Sequence, residues 1–219
     1  MRDMHCHILP GVDDGAKDLD MSLDMIEAAR AAGVTSIVCT PHARDPYFDY
    51  EAMWSSFYQL KEFVRDMPLT MGFEVAHAKL RELGVEEWAP RLAFDGTGEF
   101  LLELDPGCTE ASFQEYERTI YELQGLGYDV IIAHPERYRA IQKNTDIAVR
   151  LVRMGCKLQA SADFVAGGRF GKERRPAKKL FAQRLYRYIA SDAHRPGHYA
   201  YLASAVKEFP TRGAHMAHF

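Results

Sequence analysis

The residues of this chain best suited to chemistry are histidines and carboxylates that recur at fixed places. The chain opens Arg2-Asp3-Met4-His5-Cys6-His7, and Asp13-Asp14-Gly15 follows closely. Further along come Thr40-Pro41-His42, Glu74, Glu103, His134 and Asp192-Ala193-His194. Imidazole and carboxylate together suit Mn, Fe, Zn or mixed divalent sites. Alternate residues of a strand face the same side, so both rings of His5-x-His7 can reach one ion. Taken singly, each position has a plainer reading. Asp13-Asp14-Gly15 is a turn signal and Asp192 an N-cap, and a lone buried histidine is usually a core residue. The metal reading rests on joint placement, with His5, His7, His42, His134, His194, Glu74, Glu103, Asp192 and one or both of Asp13 and Asp14 as the set. That is too many donors for one ion, so two or three are expected.

Seven strand-like runs are predicted to position these groups, at about 2–6, 36–39, 69–74, 100–104, 129–133, 156–160 and 188–191. Helical patterns separate most of them, at about 19–32, 50–66, 110–124, 145–154, 174–186 and 197–208. Leu80, Leu83 and Val85 suggest a short helix, and Trp88 to Gly98 reads as loop. Strands alternating with helices imply a parallel sheet. At 219 residues the chain is short for an eight-unit barrel, where about 250 is usual. Seven units fit better, in a single domain. Six of the seven runs deliver a His, Asp or Glu at or just past their C-terminal ends, and the sixth offers only Gln159. In parallel α/β barrels that end of the sheet builds the active site.

Composition narrows the function classes. Hydrophobic residues make up 47% and charged residues 26%, enough apolar side chain for a sizeable core. A net charge of -4 argues against generic nucleic-acid binding. No signal peptide is visible, and no window approaches the roughly 20 apolar residues of a membrane span. Cys6, Cys39, Cys108 and Cys156 form no CxxC pair or disulfide-framework spacing. A reducing, cytoplasmic setting is therefore expected. A cysteine-dependent tyrosine phosphatase needs Cys-x5-Arg, and the partner positions here are Val12, Asp45, Gln114 and Ala162. Cys6 lies between two ligand positions and by alternation belongs to the core.

The run from His5 to Ala16, His-Cys-His-Ile-Leu-Pro-Gly-Val-Asp-Asp-Gly-Ala, resembles the opening signature of the PHP-type (polymerase and histidinol phosphatase superfamily) bacterial tyrosine phosphatases of capsule and exopolysaccharide biosynthesis. Ala133-His134-Pro135-Glu136-Arg137-Tyr138 is similar to their second signature and Ala190-Ser191-Asp192-Ala193-His194 to their last. Thr40-Pro41-His42, Gly72-x-Glu74, Leu102-Glu103 and Gln159 through Gly168-x-Phe170-Gly171 fit in order, so the resemblance spans about residues 3–208. It implies a distorted seven-stranded (β/α)7 TIM-like barrel of the PHP type over residues 1–208, with 209–219 a C-terminal tail. It also implies a trinuclear centre, often manganese. One metal would be held by His5, His7, Glu74 and Asp192. Glu74 would bridge to a second, held with Glu103 and His134. Asp14, His42 and His194 would hold the third, with Asp14 preferred over Asp13 on the family pattern. Arg137 matches a phosphate-contacting arginine. The family's further arginine after its DAH motif is replaced here by Arg195-Pro196-Gly197-His198-Tyr199, so Arg195 or His198 substitutes or the contact is lost. The segment 75–98 matches weakly.

The expected activity is hydrolysis of phosphotyrosine on a protein, with a bacterial tyrosine autokinase as the partner. Clustered divalent ions lower the pKa of bound water toward ~7 and clamp the oxygens of an in-line displacement. Arg137 and Asp192 are the expected catalytic groups with His42. His42 or a water would protonate the leaving phenolate, whose parent pKa near ~10 demands little assistance. Arg44, Arg169 and Arg195 fall in loops on the site side, where phosphate or peptide contact is open to them. The cluster from Lys172 to Lys179 reads as a solvated helix face. The alternatives are a PHP phosphoesterase on a small phosphomonoester such as histidinol phosphate, and an amidohydrolase-type metal hydrolase. The latter normally supplies a bridging lysine, and Glu74 and Glu103 occupy those strand ends instead. A regulatory scaffold around a structural metal cluster is disfavoured because the ligand positions are filled.

Overall fold

A computed structural model describes residues 1–209. The apolar runs become short parallel strands with helices between most of them. In chain order these are β1 (Arg2–Cys6), α1 (Leu19–Ala31), β2 (Ser36–Cys39), β3 (His42–Ala43), α2 (Tyr50–Phe63), β4 (Leu69–Met71), β5 (Glu74–Ala76), α3 (His77–Leu83), α4 (Val85–Leu92), β6 (Glu99–Glu103), α5 (Phe113–Gly125), β7 (Asp129–Ala133), α6 (Arg139–Lys143), α7 (Asp146–Arg153), β8 (Lys157–Ser161), α8 (Arg174–Ala182), β9 (Tyr186–Ala190) and α9 (Tyr199–Glu208). One sheet has the order β1-β2-β4 and the other β3-β5-β6-β7-β8-β9. Every ladder in both is parallel. The expected tail, with His215 and His218, lies outside the described residues apart from Phe209, whose ring stacks on Phe181 at 4.7 Å.

Nine strands in two sheets appear where seven runs were expected. The third run is broken, and a separate short strand, β3, follows the second; both interruptions have local causes. Pro41 has no N–H to give a ladder. A Cβ at Gly72 would lie 2.4 Å from the Phe94 ring and 2.9 Å from Val38, so the backbone must pass there without a side chain. His42 therefore begins β3, and Glu74 begins β5 rather than ending the run before it. They are register partners across those two strands, so they face the same side of the sheet.

The two faces of the sheets bury different sets. Met4, Val38, Phe94, Leu101, Ile131, Ala133 and Ala190 form one cluster. Phe100, Leu102, Val130, Ile132 and Leu158 face the larger cluster that includes the helices' apolar residues. The alternation breaks in β1, where the register shifts between Asp3 and Cys6. Met4 joins the first cluster, whereas Cys6, two residues later, joins the second and is fully buried. Bulges of this kind re-aim side chains at the rims of sheets. The helices start on ordinary signals. Asp18 caps α1 by accepting from the Met21 N–H at 2.9 Å, and Asp49 caps α2 through the Ala52 N–H at 3.0 Å.

One expectation is corrected in the weakly matching segment. Trp88 to Leu92 is helical, as part of α4, and Pro90 lies inside that helix. Gly84, at φ 93°, separates α3 from α4, and Val85, Ala89 and Leu92 bury one face at helical spacing. Packing of that stripe outweighs the missing proline donor in so short a helix.

The candidate metal and phosphate site

The expected ligands converge at one mouth of the fold. His5 and His7 come from the end of β1, His42 and Glu74 from the starts of β3 and β5, and Glu103 from the last residue of β6. His134 follows β7, while Asp192 and His194 follow β9. Asp13 and Asp14 arrive from the loop after β1. That loop folds back tightly: Ala16 N–H donates to His7 O at 3.0 Å, and a Cβ at Gly15 would fall 2.0 Å from the same oxygen. His134 (φ 28°) and Asp192 (φ 48°) occupy the left-handed region. This costs each about 1–3 kcal/mol, a strain typical of functional positions.

Donor atoms lying within 4.8 Å of one another form overlapping groups. These are His7, Asp14, His42 and His194; His5, His134 and Asp192; His5, His7 and Glu74; and His42, Glu74 and Glu103. Glu74 sits at the centre, its carboxylate 2.6 Å from His134 Nε2 and 2.7 Å from His42 Nδ1. It is also 3.4 Å from His5 Nε2 and from His7 Nε2. Asp14 reaches His42 Nε2 at 3.1 Å and His194 Nε2 at 3.3 Å. Asp13 turns the other way, toward His7 Nδ1 at 2.8 Å and the N–H groups of Gly15 and His42.

Hydrogen bonding aims the rings. His5 Nδ1 meets Gln159 Oε1 at 2.9 Å, His7 Nδ1 meets Asp13, and His194 Nδ1 meets the Asp192 carbonyl at 2.9 Å. Each acceptor takes the Nδ1 proton and leaves the Nε2 lone pair toward the mouth, which is how metal-ligating imidazoles are oriented. His5 Nε2 and His7 Nε2 then face each other at 3.3 Å. His42 Nδ1 and Glu74 Oε2 approach to 2.7 Å and His194 Nε2 comes within 3.3 Å of Asp14, yet none of these three buried atoms has an aligned hydrogen-bond partner among the described residues. Facing lone pairs and orphaned acceptors are costly unless a cation lies between them. The donor set thus fits divalent ions.

Electrostatics agree. Burial opposes charge on His5, His7 and His42, yet the surrounding carboxylates outweigh it and raise all three pKa values. Without cations, protons would balance the acidic mouth. Burial, reinforced by the Glu74 carboxylate, pushes Glu103 up to about 7. Burial and then Arg137 bring His134 down to about 4. Burial also opposes the charge of Asp192, but Arg137 and His5 hold its carboxyl well below the usual range.

The expected phosphate contacts lie beside this cluster. Arg137 is buried, with Nη2 2.5 Å from Asp192 Oδ2, 3.2 Å from Asp163 Oδ2 and 3.1 Å from Ser161 Oγ. Its Nε has no partner among the described residues. Arg44 Nη2 meets His42 Nε2 at 2.8 Å, and its Nη1 is 3.4 Å from Glu103. Arg195 Nε donates to His198 Nε2 at 2.8 Å, so these two pair with each other. His77, not expected as a ligand, lies away from the cluster and bonds Thr119 at 2.9 Å.

Sequence reasoning did not single out Ser161, Asp163 or the support given by Tyr138. The Tyr138 hydroxyl donates to Ala133 O at 2.6 Å and accepts from Leu104 N–H at 2.9 Å, tying the ends of β6 and β7 together. Only its place in the His134–Tyr138 signature signalled it.

Comparisons with known proteins identify the family. Residues 1–207 match the family described as capsular polysaccharide synthesis, CpsB/CapC. Tyrosine-protein phosphatase YwqE of Bacillus subtilis is 34% identical over 203 residues, covering 89% of this chain and 77% of the relative. Tyrosine-protein phosphatase CpsB of Streptococcus pneumoniae is 28% identical over 207 residues, covering 89% and 83%. A crystal structure from work on YwqE and CpsB, described as unique metal-dependent tyrosine phosphatases, superposes with a TM-score of 0.80 at 30% identity. It covers 99% of this chain and 90% of the other. A lactonase from Listeria monocytogenes shares the fold alone, at 12% identity, a TM-score of 0.58 and coverage of 97% of this chain and 89% of its own.

Proposed function

We propose that this chain, which belongs to the CpsB/CapC family of capsular polysaccharide synthesis, is a metal-dependent protein-tyrosine phosphatase. The observation that carries the reading is the ring of Nε2 lone pairs and carboxylate oxygens that face one another beside the guanidinium of Arg137. The two sheets are read as the walls of a distorted seven-stranded barrel, with residues 1–208 as its single domain. His5, His7, Glu74 and Asp192 are assigned to one ion, Glu74, Glu103 and His134 to a second, and Asp14, His42 and His194 to a third. Mn²⁺ suits this mixed oxygen and nitrogen set, with Fe and Zn the alternatives.

Divalent ions held there would supply a water of lowered pKa and neutralise charge on the phosphoryl oxygens. The chain's own residues do the rest. Gln159, Asp13 and the Asp192 carbonyl orient the imidazoles. Arg137 offers planar N–H donors to the phosphoryl group, and its ties to Asp163 and Ser161 fix its position. Arg44, Arg195 and His198 are the outer contacts, and a tyrosine leaving group, with a parent pKa near ~10, departs with little acid assistance. The substrate class is a phosphotyrosine protein, with a bacterial tyrosine autokinase as the partner, in the cytoplasm. No helix among the described residues is long and apolar enough to cross a membrane.

The test is turnover by purified protein with Mn²⁺ of a phosphotyrosine peptide, a phosphoserine peptide and histidinol phosphate. Selective turnover of phosphotyrosine, abolished by a chelator, is expected. Preference for histidinol phosphate, or turnover indifferent to chelation, would sink the reading.

A further inference from the structure

A cleft of about 660 Å³ opens beside the ligand cluster, and its walls include Lys17, Arg169 and Arg195 as well as Arg137. Asp14, Asp163 and Asp192 line it too, the last two paired with Arg137, so the cations free to meet a ligand are the outer three at the rim, on a chain of net charge -4. Lys17, Arg169 and Arg195 are all exposed. Arg195 gives its Nε to a histidine nitrogen rather than to a carboxylate. Arg169 touches Asp14 Oδ2 through one contact at 3.3 Å and is 44% exposed. Such a tie is weak, and a second carboxylate can compete for it.

The loop that carries Arg169 is held in one shape by a buried acid. Glu173 is fully buried. Its Oε1 accepts from Phe170 N–H at 2.9 Å and its Oε2 from Lys172 N–H at 2.7 Å, while its own N–H donates to Gly167 O at 3.1 Å. Gly168 lies against the same carboxylate, where a Cβ would come within 2.5 Å of Oε2, and its φ of 81° also favours glycine. A buried carboxylate devoted to main-chain N–H groups holds a loop in place, and what this loop presents to the cleft is Arg169.

We infer that the rim selects phosphotyrosine segments with acidic residues beside the phosphotyrosine. Lys17, Arg169 and Arg195 receive the flanking carboxylates while Arg137 faces the phosphoryl group, and Glu173 is a positioning residue for Arg169. The inference rests on the phosphatase reading above and names the substrate class within it.

The experiment compares two peptides with the same phosphotyrosine, one flanked by Asp and Glu and one by Asn and Gln, with p-nitrophenyl phosphate as the third substrate. Wild-type protein with Mn²⁺ should prefer the acidic peptide by about ten-fold in kcat/KM, expressed in KM, because three exposed cations each contribute modestly. The preference should shrink as salt rises and screening shortens. Lys17→Ala and Arg169→Ala should each reduce it about two-fold, and Arg169→Glu should erase it. Fluorescence anisotropy with non-hydrolysable phosphonate versions of the peptides should give the same order without turnover. Equal kcat/KM for the two peptides, or a preference that survives Arg169→Glu, would overturn the inference alone. Failure to turn over any of the three substrates would overturn the phosphatase reading, and this inference with it.

Discussion

Two kinds of buried polar group share this molecule, and they differ in what satisfies them. Away from the mouth, Asp3, Glu136 and His77 have fixed partners. Asp3 accepts from the Ser191 N–H at 2.9 Å and hydroxyl at 2.6 Å. Glu136 accepts from Ser161 N–H and Tyr186 O–H, both at 2.7 Å, and burial still pushes it up to about 7. His77 pairs with Thr119. At the mouth, Glu74, His42 and His194 have atoms that nothing among the described residues satisfies by hydrogen bonding. Both kinds are buried, so burial alone marks neither. The difference is that the first kind is complete as folded, whereas the second, on the proposed reading, awaits cations.

The contrast can be broken most severely at Asp192. Asp192→Asn keeps the shape but removes the charge that faces both Arg137 and the histidines. Steady-state kinetics should show a loss of kcat on the order of a thousand-fold, and wild-type kcat would refute the assignment. Next is removal of the cations themselves. Chelation should abolish turnover and lower Tm by several degrees, because an ion that binds only the folded chain stabilises it. Far-UV circular dichroism should stay intact, since the groups elsewhere need no ion, and readdition of Mn²⁺ should restore both. Gln159→Leu touches no ion directly. It frees the His5 ring, and Mn²⁺ affinity measured by titration should fall about 10–100-fold.

The smallest effects belong to the self-sufficient groups. Tyr186→Phe takes one donor from Glu136 and should cost about 1–3 kcal/mol in denaturant unfolding while Mn²⁺ affinity holds. His77 offers a pH signature. Burial lowers its pKa, with Arg81 adding to that and Glu115 opposing it, so the folded chain binds fewer protons than the unfolded one. Its contribution is complete above the unfolded value near ~6.5 and is lost as pH falls below it. His77→Gln should flatten the fall of Tm over that window, and an unchanged slope would remove His77 from the account.

How far each region can be read in the sequence follows the same division. His5, His7, Glu103, His134, Asp192 and His194 follow or end apolar runs, so the sequence places them at one end of a parallel sheet, while the bulge in β1 and the left-handed backbone of His134 and Asp192, which aim the side chains, have no sequence signal. The breaks at Pro41 and Gly72 are harder to foresee, because the second depends on the Phe94 ring arriving from distant sequence. The roles of Asp13 and Asp14 are separated by the close approach of Gly15 to His7, which no turn signal specifies. Gln159, Ser161 and Asp163 act through one hydrogen bond or two, and their residue types are ordinary in any strand or loop. The helix over Val85–Leu92 was hidden by Pro90, whose local cost was exceeded by the burial of Val85, Ala89 and Leu92.

The first strand meets the segment after the last through few main-chain bonds, Asp192 N–H to His5 O and His7 N–H to Ala193 O, both at 2.8 Å. The reactive side chains straddle that seam, with His5 and His7 on one side and Asp192 and His194 on the other. Opening of the seam and dispersal of the ligands are therefore one event. The amide protons of His7 and Asp192 serve as its clock: their exchange with deuterium reports how often the mouth comes apart, and ions bound as proposed should slow it by holding the first strand to the segment after the last.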